Sequence, residues 1–126
     1  MSQEIEEILQ QARTQLQTGK TDKARMLLLA LLKKAPNNMA ALLMLGGSYF
    51  SSEKFQEADM VFERLVLMEP GRGEFSIALF NTLWKQGRTE EALEEIKRFV
   101  SVADKQAEKA IIDQYAKIIK EFADKA

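Results

Sequence analysis

Carboxylates are the groups in this chain with the widest choice of chemistry, because histidine and cysteine are both absent from its 126 residues. Without imidazole or thiolate, the commonest general base, the commonest transition-metal ligand and the thiol nucleophile are all missing. Three adjacent carboxylate pairs remain: Glu6-Glu7, Glu90-Glu91 and Glu94-Glu95. Such pairs do acid-base work or hold a metal only where they converge in a sheltered cleft. These fall at helix starts and on polar faces, with Lys97 and Arg98 close by, so solvated helix surface is the expected role for all three. Gly71-Arg72-Gly73 follows Pro70 and not a strand, which argues against a phosphate-cradling loop. No enzyme, cofactor or metal is expected.

The elements that position these residues come from a balanced composition. The hydrophobic fraction is 46% and the net charge is -1, with both signs interspersed. One domain is long enough to account for the chain, and no basic excess points to nucleic acid. The apolar run Met26 to Leu32 has seven residues, too few to cross a bilayer. The acidic start Met-Ser-Gln-Glu-Ile-Glu-Glu lacks the basic and apolar regions of a secretory signal. The expectation is a cytoplasmic protein.

The chain is organised around the stretch from Met39 to Pro70. Leu42, Leu45, Gly46 and Tyr49 share one helical face, and Ala58, Phe62 and Leu65 share another before Pro70 ends the second helix. Gly46 and Ala58 are small enough to let the two helices approach closely. The spacing Leu-x2-Leu-Gly-x2-Tyr, then Ala-x3-Phe and a closing Pro, resembles the tetratricopeptide repeat, with Leu42 where that pattern carries Trp. A shift of 34 residues aligns Ala24, Ala58 and Ala92, then Leu28, Phe62 and Ile96, then Leu31, Leu65 and Phe99. The turn position reads Gly19, Glu53 and Gly87, and Pro36 matches Pro70.

The expected organisation is therefore all-α: repeats at about 2–36, 37–70 and 71–104, then a capping helix at about 105–125, seven helices in all. Ser2 reads as an N-cap, Gly19 as the residue ending the first helix, and Thr21 and Thr89 as caps of the second helices of repeats one and three. Gln11 and Gln15 replace the usual Leu and Tyr of the pattern, and Phe80 stands where the earlier copies have Ala12 and Gly46. A splayed or shifted pair is expected there. The last helix, expected from Asp104 to Asp124, has an apolar stripe of Ile111, Tyr115, Ile118 and Phe122 and should close the fold with its polar side outward.

The resemblance implies a right-handed superhelical stack, an α-solenoid, whose first helices line a concave surface. The positions matching that surface are Leu9, Arg13 and Leu16; Leu43, Met44, Gly47 and Phe50; and Ile77, Asn81, Trp84 and Lys85. Leu43, Met44 and Phe50 are surplus to the packing set, and surplus apolar surface marks an interaction site, although interhelical packing accounts for them equally well. The family's carboxylate clamp is missing: its positions hold Leu9, Arg13, Met44, Glu74 and Ala78. The resemblance thus implies a protein-interaction module, an adaptor, scaffold or small chaperone that holds an apolar segment or helix of another protein. The small chaperones of type III secretion are one architectural parallel. The alternative is self-association through that surface or through an outer patch on the first repeat at Met26 and Leu29, whose later counterparts include Met60 but also Glu63, Glu94 and Lys97.

Overall fold

A computed structural model describes residues 2–125, Ser2 in its backbone only, and contains seven helices among the described residues. They are α1 (Ser2–Gln17), α2 (Thr21–Lys34), α3 (Met39–Ser51), α4 (Phe55–Met68), α5 (Gly73–Lys85), α6 (Thr89–Val102) and α7 (Lys109–Lys125). The chain divides into two compact units, Met1–Val61 and Phe62–Ala126, with the division inside α4.

The turn inside each helix pair is built the same way three times. Gly19, Glu53 and Gly87 have φ of +80°, 59° and +74°. Each follows the same bonding: Lys20 N–H donates to Gln15 O, Lys54 N–H to Tyr49 O and Arg88 N–H to Leu83 O. This six-to-one bond with a left-handed residue inside it satisfies carbonyls that a helix end leaves unpaired. The next helix starts at once, because Lys20, Lys54 and Arg88 already accept from the amides of Ala24, Ala58 and Ala92. Thr21 and Thr89 are consequently first helical residues and not caps; the cap positions are Lys20 and Arg88, neither of which makes a side-chain cap bond. So short a connection has no room for a separate capping residue. The expected cap at Ser2 lies outside the described side chains.

The first unit packs α1 on α2 and α2 on α3 around Leu9, Ala12, Leu28, Leu31, Ala41 and Leu45. Ala12 and Ala24 are fully buried, and their lack of bulk lets the helices close. Arg25 ties α2 to the end of α3. Its guanidinium donates to Ser48 O at 3.0 Å, to Ser52 Oγ at 3.2 Å and to Asp22 Oδ1 at 3.0 Å, and lies 5.1 Å from the Tyr49 ring centre. Asn38 begins α3 by accepting from Ala41 N–H at 2.9 Å.

The second unit packs α5 on α6, with α7 across them around Phe75, Phe99 and Tyr115. Phe80, the large residue at a small-residue position, is buried. Its ring lies 5.6 Å from Trp84 and 5.5 Å from Tyr115, centre to centre, so α7 supplies one of its neighbours. α7 begins at Lys109, five residues later than the sequence suggests. The intervening chain turns because Asp104 Oδ1 accepts from the amides of Gln106 and Ala107, a local bond that competes with helix. Those two amides hold the Asp104 carboxyl below the usual aspartate range.

Candidate interaction clefts

Two helices of the first unit, α1 and α3, place Leu16, Met44 and Gly47 in one cleft of about 300 Å³, with Thr21, Ser48 and Ser51. A Cβ added at Gly47 would meet nothing within 4 Å. The glycine is therefore not demanded by packing and leaves the cleft floor clear. Leu43 and Phe50 are half-buried, and the Phe50 ring sits edge-on to Phe55 at 5.3 Å. Arg13 is exposed and donates to Gln10 Oε1 at 3.1 Å. Leu9 is 2% exposed and works in the unit's core. Met26 and Met60, by contrast, are 71% and 73% exposed.

In the second unit, α5 and α7 flank a cleft of about 340 Å³. Its α5 wall is Phe80, Asn81 and Trp84; its α7 wall is Ile118, Glu121, Phe122 and Lys125. Trp84 stacks on Phe80 with an interplanar angle of 24° and remains 43% exposed, as Phe122 does at 44%. Ile77 is half-buried and Lys85 exposed. Asn81 and Trp84 are thus the sequence-identified residues that meet here. The α7 wall was missed because Ile118 and Phe122 read only as the stripe of a cap.

What holds α7 in place is a buried polar chain. Ser76 Oγ donates to Glu95 Oε2 at 2.8 Å and lies 2.7 Å from the Tyr115 hydroxyl. A serine has one proton to give, so the tyrosine donates to Ser76. Glu95 also accepts from Arg98 Nε at 2.7 Å, and Arg98 Nη1 donates to Pro70 O at 2.8 Å. Burial, with the nearby Glu95 charge, pushes the Tyr115 hydroxyl far above its usual pKa, against the pull of the Ser76 bond. Glu95 therefore departs from the expected solvated role: it is buried, with Ser76 of α5 and Arg98 of its own helix as partners. Glu6, Glu7, Glu90, Glu91 and Glu94 are exposed. The Arg88 guanidinium bonds Glu91 and lowers its pKa.

Helix pairs joined by turns of one geometry define a helical-repeat protein. The model of the family described as tetratricopeptide repeat matches residues 9–66, and that stretch is built from tetratricopeptide repeats. No curated protein sequence matches it. The Yersinia enterocolitica type III secretion translocator chaperone SycD shares its fold at TM-score 0.83, with 20% identity over 99% of this chain and 96% of that one. PcrH from Pseudomonas aeruginosa does so at TM-score 0.76, 17% identity, 96% of this chain and 92% of the other. A MamA structure matches at TM-score 0.67 and 24% identity over 75% of this chain, which corresponds to 56% of the MamA chain. These likenesses are of fold.

Proposed function

We propose that this protein is a non-catalytic interaction module, in the manner of a small chaperone, that holds an apolar segment or helix of a partner protein on the first helices of its repeats. The observation that carries the reading is Trp84: a large apolar side chain, stacked on a buried ring, left 43% exposed over a cleft. Leu16, Met44 and Gly47 offer a second apolar recess in the first unit, and Arg13, Leu43, Phe50, Ile77, Asn81 and Lys85 are the further partner-facing residues proposed. Apolar floors with polar rims suit an amphipathic helix or an extended segment with apolar anchors. The near full-length likeness to a translocator chaperone favours the chaperone form over a scaffold role. An acidic carboxylate tail is disfavoured, because Leu9, Met44, Glu74 and Ala78 occupy positions of the family's Lys, Asn and Arg clamp, which leaves Arg13 as its one cation.

A pull-down comparing the parent with Phe50→Ala plus Trp84→Glu tests this. The variant should keep its helical circular dichroism and lose the partners that the parent retains. A folded variant that retains every one of them removes the proposal.

A further inference from the structure

Gly47 lies inside α3 without the positive φ that marks Gly19 and Gly87. A Cβ added there would meet nothing within 4 Å, whereas one added at Gly73 would lie 2.7 Å from Ile111 Cγ1. Neither backbone conformation nor packing therefore calls for glycine at 47, and within a helix glycine is less favourable than alanine. A helical side chain leans over the turn before it, so any side chain at 47 would lie over Leu43 and Met44. What the glycine does is bare Met44 in the α1–α3 cleft, whose other lining residues are Leu16, Thr21, Ser48 and Ser51.

We infer that Gly47 is a specificity-determining residue, admitting one aliphatic side chain of the partner segment, a leucine or a methionine, onto Met44 and Leu16. The inference rests on the proposed docking of partner segments on the first helices, and adds to it the anchor that this recess takes. The lining decides the class of anchor. No aromatic ring lines the recess, so a phenylalanine or tryptophan would find none of the ring contacts that Phe80, Trp84 and Phe122 offer in the α5–α7 cleft. A polar anchor is disfavoured as well. Ser48, 2% exposed, already donates its hydroxyl to Leu45 O at 2.7 Å, and a buried polar group without a partner is costly. Met44, unbranched and polarizable, adapts to the shape laid on it. A side chain added at 47 would compete with the anchor for the same room of about 300 Å³.

The full chain with isotope-labelled methionine methyl groups reports on this recess through Met44, whose signal is assigned by its loss in Met44→Leu. Trp84 fluorescence reports separately on the α5–α7 cleft. The probes are two synthetic amphipathic peptides of one sequence, with the apolar positions i, i+3 and i+7 filled by leucine in one and phenylalanine in the other. The leucine peptide should shift the Met44 methyl saturably, and the phenylalanine peptide should leave it in place. Gly47→Ala should melt about 3–4 °C above the parent and bind the leucine peptide about five- to tenfold more weakly. Gly47→Leu should also melt above the parent and show no peptide-induced shift at Met44. A Gly47→Leu variant that answers the leucine peptide as the parent does overturns the inference. So does a phenylalanine peptide that shifts Met44 equally, a Met44 methyl that neither peptide moves, or a Gly47→Ala variant that melts below the parent. With Trp84 fluorescence still responding, the proposed docking stands without this anchor; silence of both reporters removes both.

Discussion

Removing one oxygen, by Tyr115→Phe, tests how α7 is held. Tyr115 is 1% exposed, and the substitution leaves its ring contacts with Phe80 and Phe99 while deleting the bond to Ser76. Ser76 keeps its own donation to Glu95 and loses only an incoming donor, so the cost is that of one buried neutral hydrogen bond, about 1 kcal/mol. At about 2.1 cal/mol/K per residue the unfolding entropy of a chain this long makes that a Tm fall of roughly 4 °C. The pH dependence sharpens the test. The folded-state pKa of Tyr115 is raised, so its contribution is fully present below the unfolded value of about 10 and is lost as pH rises towards the folded one. Between pH 10 and 11 the parent should lose roughly 1 kcal/mol relative to Tyr115→Phe, which closes the gap between them. Denaturant melts of both proteins at pH 7, 10 and 11 measure this, and other groups cancel in the difference. Equal stability at pH 7, or a gap that stays constant to pH 11, would refute a buried, donating hydroxyl.

Two further outcomes follow from the local geometry. Glu53→Gly replaces the non-glycine member of the three left-handed turn residues and should stabilise the chain by about 0.5–1 kcal/mol, since relief of left-handed strain exceeds the extra chain entropy of glycine; a lower Tm would contradict it. Arg25→Met keeps the aliphatic stem but removes the bonds to Ser48 O, Ser52 and Asp22 and the contact with Tyr49. Chemical denaturation should show a loss of about 1–2 kcal/mol, and a loss below a few tenths would mean that the guanidinium does not join α2 to α3.

The repeat was legible because its determinants are local and periodic. Gly19, Glu53 and Gly87 mark left-handed turns, and Ala24, Ala58 and Ala92 are each fully buried. Glu95 was not legible. In the sequence it resembles Glu90, Glu91 and Glu94, and its partner Ser76, itself bonded to Tyr115, is brought to it only by the packing of α5 on α6. Leu9, Leu43 and Ile77 occupy one repeat position, yet Leu9 is buried and the other two are half-buried, because coverage depends on what each copy packs against. The start of α7 escaped notice for the opposite reason: two backbone bonds to Asp104 outweigh a helical pattern that continues through the turn. The α5–α7 cleft needed both walls, and periodicity gives only one helix face at a time.

The central claim is that partner segments dock over Trp84, the single tryptophan of the chain. Its fluorescence during titration with a partner segment recovered by the parent, and otherwise with amphipathic peptides carrying apolar residues at i, i+3 and i+7, tests this directly. The account predicts a saturable blue shift, loss of acrylamide quenching, and no binding to Trp84→Glu; saturable binding that leaves Trp84 as accessible as before and survives Trp84→Glu would contradict it.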